Sequence, residues 1–430
     1  MFISILGRQP ELSIAELRAV YGQSNVDLLT PEIASVESEN FDISILGGAT
    51  KYGLVIDRFA SHEPSDKAAF IAASRKIVQH YQSKWRQIDH KITLGISAYN
   101  FKISPRDVQK TGLLLKSSLK KSGVSLRLIP NSDPALSTAV SHNNKLGLSP
   151  NKVELIIIKA GKIIVLAESR GAQNITAYAK RDRDRPRRDA FVGMLPPKLA
   201  QIMINLAAED ATTTSFYEGS AFPAEANQER KLDQSAASRP EKKDSGSGRS
   251  ITLLDPFCGT GTILQEALLR GFTVFGSDLN LKMIDYTTEN LSWLQKTHRT
   301  DGTVSTIRQG DATEFKWPEA GNLDLVVCET YLGQPFSAPP SPEKLKQVVG
   351  NCNHIISQFL ENIRTQIRPN TRLCIAVPAW QGNDGRFTYL PLTKQVESLG
   401  YQLQNTDKLL YHRPDQVVAR QLLILRPSVN

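Results

Sequence analysis

Ile251-Thr252-Leu253-Leu254-Asp255-Pro256-Phe257-Cys258-Gly259-Thr260-Gly261-Thr262 is the stretch that decides the fold class. The apolar run Ile251 to Leu254 reads as a buried strand, and Thr262 to Arg270 as the helix that follows it. Glycines at 259 and 261 let the backbone turn tightly and approach a ligand closely. The helix start beyond them offers free N–H groups at the positive end of a dipole. The loop is neither the GxGxxG of the dinucleotide fold nor a phosphate-binding loop, because no Lys-Ser/Thr follows its glycines. Asp255 at the strand tip would repel a pyrophosphate but suits the ammonium group of an amino-acid moiety. A nucleoside with a methionine end and no phosphate, S-adenosylmethionine, meets both conditions. Asp255, Phe257, Gly259, Thr260 and Gly261 are therefore candidate cofactor-binding residues.

Working outward, Thr273 to Ser277 reads as a second strand that ends on Asp278, about 20 residues past the glycine loop, where a carboxylate reads ribose hydroxyls. Asp311 and Ala312, in Arg308-Gln309-Gly310-Asp311-Ala312, follow a further short strand, and Asp311 is placed to accept from an adenine amino group. Either acid alone could be a helix N-cap. Leu323–Cys328 and Arg372–Val377 are further buried-strand candidates, and strands alternating with helices predict a parallel, doubly wound α/β sheet. Leu409–Tyr411 and Val417–Leu425 flank Arg413-Pro414-Asp415-Gln416, a terminal antiparallel hairpin.

Upstream the pattern is α+β. Ser13-Ile14-Ala15-Glu16 has the form of a capping box, with Leu17, Val20 and Tyr21 as the apolar stripe and Gly22 as the stop. Helices are predicted near Lys67–Trp85 and Ser104–Ser122, and a hairpin from Val153–Ile158 and Ile163–Ala167 around Lys159-Ala160-Gly161-Lys162. Arg181 to Asp189 is mostly charge, with basic residues in excess, and Pro196-Pro197 opens a helix through Ala207. Residues 218–250 are rich in Glu, Lys, Ser, Ala and Gly, the composition of a disordered insertion.

Within the chain of 430 residues, 40% are hydrophobic and 22% charged, close to an average soluble protein, and the length favours two or three domains. The most apolar stretch, Val153 to Ala167, is broken by Lys159 and Lys162, so no membrane span is expected. The opening Met1 to Arg8 lacks a basic leader and reads as a first strand, and a cytoplasmic location is expected. Cys258, Cys328, Cys352 and Cys374 show no CxxC spacing, so neither a metal site nor a disulfide framework is indicated; buried small hydrophobes are expected for three of them, and Cys258 sits inside the cofactor loop, where a small side chain is what matters. The net charge of +9 suits an anionic polymer as partner.

The loop DPFCGTGT, followed by GSDLN and GDA, resembles the cofactor motifs of THUMP-domain tRNA methyltransferases that modify the exocyclic N2 of guanosine, the tRNA guanosine-10 type. The lead-in Arg181-Asp182, Arg185-Pro186, Arg188-Asp189 and Gly193 to Ala200 is similar to the same family, as are the ending Tyr411-His412-Arg413-Pro414 and, more loosely, Leu6-Gly7-Arg8 with Glu11-Leu12 and Glu16-Leu17. The resemblance implies a ferredoxin-like unit over residues 1–60, an RNA-gripping THUMP domain over 61–172 and a basic linker over 173–190. It implies a Rossmann-like class I methyltransferase domain over 191–430, with 218–250 inserted. It further implies tRNA as partner. Some relatives require a small zinc-containing activator protein, and the sequence leaves that requirement open.

Where the family carries Asp-Pro-Pro-Tyr, this chain has Glu329-Thr330-Tyr331-Leu332. An aromatic amino nitrogen is a poor nucleophile because its lone pair is delocalised. A carboxylate accepting its N–H localises that pair, and an aromatic side chain stacks on the extruded base. Glu329 is the candidate acceptor, Tyr331 the candidate stacker and Thr330 the residue between them. The lost prolines leave open a reshaped or degraded site, a ribosomal RNA or DNA substrate, or a cofactor-binding protein without catalysis. Candidate RNA contacts are Lys180, Arg181 and Arg183, although alternating Arg and Asp can also pair on a solvated surface; the resemblance adds Arg127, which could equally be a surface strand residue.

Overall fold

The computed structural model describes residues 1–88, 90–189, 194–209, 250–298 and 300–428. All of the expected 218–250 insertion except Ser250 lies outside the described residues. The chain divides into two compact units, Met1–Ala179 and Lys180–Asn430.

The first unit is α+β, as its mixed patterning predicts. Its elements run β1 (Phe2–Leu6), α1 (Pro10–Tyr21), β2 (Val26–Thr30), β3 (Ile33–Val36), β4 (Ala49–Ala60), α2 (Asp66–Arg86) and β5 (Ile92–Tyr99). They continue through α3 (Pro105–Lys121), β6 (Leu126–Leu128), α4 (Thr138–Asn143), β7 (Lys152–Ala160) and β8 (Ile163–Ala172), and α5 (Ile175–Arg183) follows. One eight-stranded sheet has the order β2-β3-β1-β4-β8-β7-β5-β6. The boundary expected at residues 60–61 falls at the end of β4, and β4 pairs with β8 from Lys51↔Ala172 to Ala60↔Ile163, so one sheet runs through both segments. Ser104 caps α3 in a reciprocal box with Asp107. Phe70, Ile77, Leu115, Ile157 and Leu166 bury the helix–sheet interface.

The capping box read at Ser13–Glu16 is corrected. Pro10 starts α1 one turn earlier, so Ser13 lies inside the helix and its Oγ donates to the Gln9 carbonyl at 3.0 Å. Glu16, freed from a capping role, is fully buried and accepts from the N–H groups of Gly47 and Gly48, each at 2.8 Å. Gly48 has no room for a side chain: a Cβ there would lie 2.7 Å from Ser13 Oγ. The stretch expected as a linker over 173–190 is helical over Ile175–Arg183.

The second unit contains α6 (Pro197–Ala207), β9 (Thr252–Asp255), α7 (Thr262–Leu269), β10 (Thr273–Asp278), α8 (Leu281–Thr297), β11 (Thr303–Gln309) and β12 (Leu325–Glu329). It closes with α9 (Pro342–Arg364), β13 (Arg372–Gln381), β14 (Phe387–Tyr389), β15 (Tyr401–Leu403), β16 (Leu409–Tyr411) and β17 (Val418–Pro427). The sheet order is β11-β10-β9-β12-β13-β17-β15, with β14 on β13 and β16 on β17. The pairs from β11 through β13 are parallel, and β17 is antiparallel to β13 and β15. This is the predicted doubly wound, Rossmann-like sheet with an antiparallel edge, and the expected terminal hairpin is present as β16–β17. Leu253, Leu254, Val326, Val327, Leu373 and Ile375 are fully buried, as strands covered on both faces require. On one face Ile356, Phe359, Leu360 and Ile363 of α9 fill the core with Trp380 and Tyr401. Strand order reverses about β9, so the carboxyl ends of β9, β10 and β12 border the crevice where open α/β sheets bind ligands.

Candidate active site

Asp255 ends β9, is 2% exposed, and its Oδ1 accepts from the Phe257 N–H at 3.1 Å. Burial pushes its carboxyl well above the usual carboxylate range. The Phe257 N–H opposes that shift, while the charges of Asp278 and Glu329 add to it. Asp255, Asp278 and Glu329 thus act on one another at the ends of neighbouring strands, and among the described residues Asp255 forms no ion pair. That arrangement is costly for the protein alone and favourable for a ligand bearing an ammonium group.

The glycine loop is held from below. Gly259 and Gly261 have φ of 51° and 83°, a region open to glycine at little cost. Thr287 Oγ1 of α8 donates to the Gly259 carbonyl at 2.7 Å, and Asn290 Nδ2 donates to the Thr260 carbonyl at 2.9 Å. A Cβ on Gly261 would meet the Thr287 side chain at 3.0 Å, whereas one on Gly259 would have no closer neighbour than 4.0 Å, so Gly259 opens outward. Phe257 packs edge-on against Phe359, with ring centroids 5.1 Å apart. Cys258 is buried in the loop, and burial together with Asp255 and Asp278 pushes its thiol well up. All four cysteines are buried, the environment expected of Cys328, Cys352 and Cys374 as small hydrophobes.

Asp278 ends β10 and ties two loops together. Its Oδ2 accepts from Gly259 N–H and its Oδ1 from Asn280 N–H, both at 2.9 Å. Burial raises its carboxyl, and those two N–H groups work against the rise. Each oxygen keeps a lone pair for a ribose hydroxyl. Asp311 uses Oδ1 to accept from the Thr313 N–H at 2.9 Å and hydroxyl at 2.7 Å, which fixes the turn after β11, and Ala312 is buried beside it. An acid for an ammonium, a glycine surface at a helix start and an acid for a ribose fit S-adenosylmethionine. When bound it supplies an electrophilic methyl group.

Glu329 ends β12, and its Oε1 accepts from Arg420 Nε at 2.5 Å. Arg420 lies on β17, is 7% exposed, and pairs across the sheet with Pro378. Sequence reading missed it, although an Arg-Gln pair inside the apolar run Val417–Leu425 was a signal. Thr330 is buried, and both its N–H (3.0 Å) and its hydroxyl (2.9 Å) donate to the Ala376 carbonyl of β13. Tyr331 is 43% exposed and lines a cavity of about 120 Å³ with Gly333, Lys344, Gln347, Asn351 and Cys352 along α9. The three loop residues therefore have three separate environments: Glu329 on β17, Thr330 on β13 and Tyr331 on α9.

The basic segment divides just as sharply. Arg181, expected to face RNA, is instead buried, its Nε and Nη2 donating to Glu266 of α7 at 2.8 and 3.2 Å. Lys180 and Arg183 are exposed on α5, and Arg127 is exposed in the middle of β6. Arg185, part of the lead-in motif but not among the candidate site residues, is buried and donates to Thr262 Oγ1 at 2.8 Å, with Asp182 3.6 Å away. Burial pushes its guanidinium below the usual value, with Asp182 pulling the other way. Arg187 forms two hydrogen bonds to Glu289, at 2.6 and 3.1 Å, and its backbone is bracketed by Asn290.

The comparisons with known proteins agree with this geometry. A family model described as "Methyltransferase domain" matches residues 247–412. A tRNA (guanine(10)-N2)-dimethyltransferase from Methanothermobacter thermautotrophicus is 34% identical over 126 residues, 29% of this chain and 32% of its own. The match thus spans about a third of that relative's length. The crystal structure of TrmN from Thermus thermophilus shares the fold over 99% of both chains, with a TM-score of 0.51 at 15% identity. Residues 247–412 are accordingly a methyltransferase domain of Rossmann-like fold, and S-adenosylmethionine is its cofactor. Among the described residues, no helix is long and apolar enough to cross a membrane.

Proposed function

We propose that the chain methylates the exocyclic N2 of a guanosine in tRNA, the guanosine-10 position by resemblance. The reading also assigns residues 1–60 to a ferredoxin-like segment, 61–172 to an RNA-gripping THUMP domain and 191–430 to the catalytic domain. The observation that carries the reaction type is Glu329. It is a carboxylate at the carboxyl end of the strand beside β9, held by an arginine and next to the cofactor acids. In this reading Glu329 accepts the amino N–H, which directs the nitrogen lone pair at the methyl carbon. As the N–C bond forms and the C–S bond breaks, the sulfur leaves as the neutral thioether of S-adenosylhomocysteine, and the surplus proton passes from the nitrogen to the Glu329 carboxylate and on to solvent. The tRNA substrate is supported by the partial relative's name and by the excess of basic residues.

The test is a transfer assay with labelled methyl donor on bulk tRNA, ribosomal RNA and DNA, followed by mass mapping of the modified nucleoside. N2-methylguanosine or its dimethyl form in tRNA is expected. Label confined to ribosomal RNA or DNA overturns the substrate. Cofactor binding without transfer to any of the three overturns catalysis and leaves a binding protein.

A further inference from the structure

The second unit contains a cleft of about 330 Å³ lined by Asp182, Arg188, Pro196, Arg413, Gln416 and Arg420 among others. Arg420 joins it to the acceptor loop through Glu329, and Asp182 joins it to the cofactor loop through Arg185 and Thr262. The cleft therefore borders both halves of the chemistry.

Its charge is unbalanced. Glu329 is engaged by Arg420 and Asp182 by Arg185. Among the described residues neither Arg188 nor Arg413 forms an ion pair, and Asp415, in the same turn as Arg413, is exposed and unpaired with it. Two guanidinium groups thus remain uncompensated on one concave surface. Arg413 is also pre-positioned. His412 Nε2 lies 2.8 Å from the Gln416 carbonyl, Gln416 N–H donates to the Arg413 carbonyl at 2.9 Å, and Arg413 Nε donates to the Tyr411 hydroxyl at 3.2 Å. The turn spends Nε on its own tyrosine and leaves the terminal nitrogens of Arg413 for an anion of fork-matching shape.

We infer that Arg188 and Arg413 seat a backbone phosphate of the RNA strand next to the nucleotide presented to Glu329. This rests on the reading of the chain as an RNA methyltransferase. The cofactor is the alternative occupant. Its ammonium and sulfonium gain nothing from this surface, so only its one carboxylate competes for the two guanidinium groups, and cofactor binding by the variants separates the two occupants. A phosphodiester carries the complementary charge, and two planar forks hold it in a fixed register.

The experiment uses the full chain as wild type, Arg188→Ala, Arg413→Gln, the double variant and the Lys replacements. Binding to bulk tRNA is measured from about 50 to 200 mM salt, with S-adenosylhomocysteine binding followed by calorimetry and folding by thermal melts. Each neutral variant is expected to flatten the log–log salt dependence by about 0.7–0.9. The Lys variants restore the slope, and S-adenosylhomocysteine binding is unchanged throughout. Unchanged slopes in variants of a wild type that does bind tRNA overturn the phosphate seat alone. Weakened S-adenosylhomocysteine binding with an unchanged slope also overturns it and assigns the cleft to the cofactor. A wild type that binds S-adenosylhomocysteine but no RNA overturns the substrate reading, and the seat with it. Should Arg413→Gln fail to fold, the exposed Arg188 decides by itself.

Discussion

Arg420 of β17 reaches past β13 to place its Nε 2.5 Å from Oε1 of Glu329 at the end of β12. The contact compensates for a missing rigidity. In a loop without prolines, the Glu329 carboxylate is oriented by a charge-assisted hydrogen bond from a buried arginine, and the next residue, Thr330, is anchored on Ala376. Glu329→Gln is expected to lower kcat for methyl transfer by about a hundredfold or more while cofactor affinity stays within about twofold, as for loss of an acid–base group. Transfer at the wild-type rate would remove Glu329 from the role assigned to it.

Arg181 and Arg183 sit two residues apart and should behave oppositely. Arg181→Ala removes the ion-pair partner of the buried Glu266, leaving it only Gln201 and the charge of Arg270, and is expected to cost roughly 3 kcal/mol of stability. Arg183→Ala, on an exposed face, should stay within about 0.5 kcal/mol. Urea denaturation of both variants checks the pair, and equal effects would contradict the burial described above.

Asp255 should trade stability for binding. Its carboxyl titrates higher in the fold than in the unfolded chain, where about 3.9 is usual. Its favourable contribution is thus fully present below the unfolded value and is lost as pH rises through the folded one. In the protein free of cofactor, Asp255→Asn should therefore melt at or above the wild type at neutral pH, with the advantage shrinking as pH falls. The same variant should bind S-adenosylmethionine at least about tenfold more weakly, because the ammonium loses its carboxylate. Wild-type affinity should rise with pH through the raised Asp255 value and then level off, which calorimetry across pH would record.

The cysteines provide a check on packing. Cys258, Cys328, Cys352 and Cys374 are all buried, and burial pushes the Cys352 thiol up to about 12. An aromatic disulfide reagent should modify none of them on the minute scale in the native protein and all four after unfolding. Rapid native labelling at Cys258 would mean that the cofactor loop opens.

Much of the catalytic half was legible in the sequence because its signals are local. A glycine loop between an apolar run and a helix, acids at Asp255, Asp278 and Asp311, and the β16–β17 turn each depend on a few consecutive residues, and all take the expected elements. Ser13–Glu16 misled because Pro10 started the helix earlier and Glu16 found its partners at Gly47 and Gly48, 31 and 32 residues on. Arg181 misled because charge pattern carries no information about depth, and its partner Glu266 is 85 residues away.

The sequence by itself therefore determined the sheet class, the glycine loop between β9 and α7 and the carboxylate at 329, since backbone conformation and hydrophobic period are set by neighbours in the chain. Tertiary structure alone decided what the charges do. Arg420 meets Glu329 across 91 positions, Arg185 meets Thr262 across 77, and Arg188 and Arg413 are left without a counter-charge on one cleft. Coulomb and hydrogen-bond energies depend on distance in space and on burial, and neither is ordered along the chain.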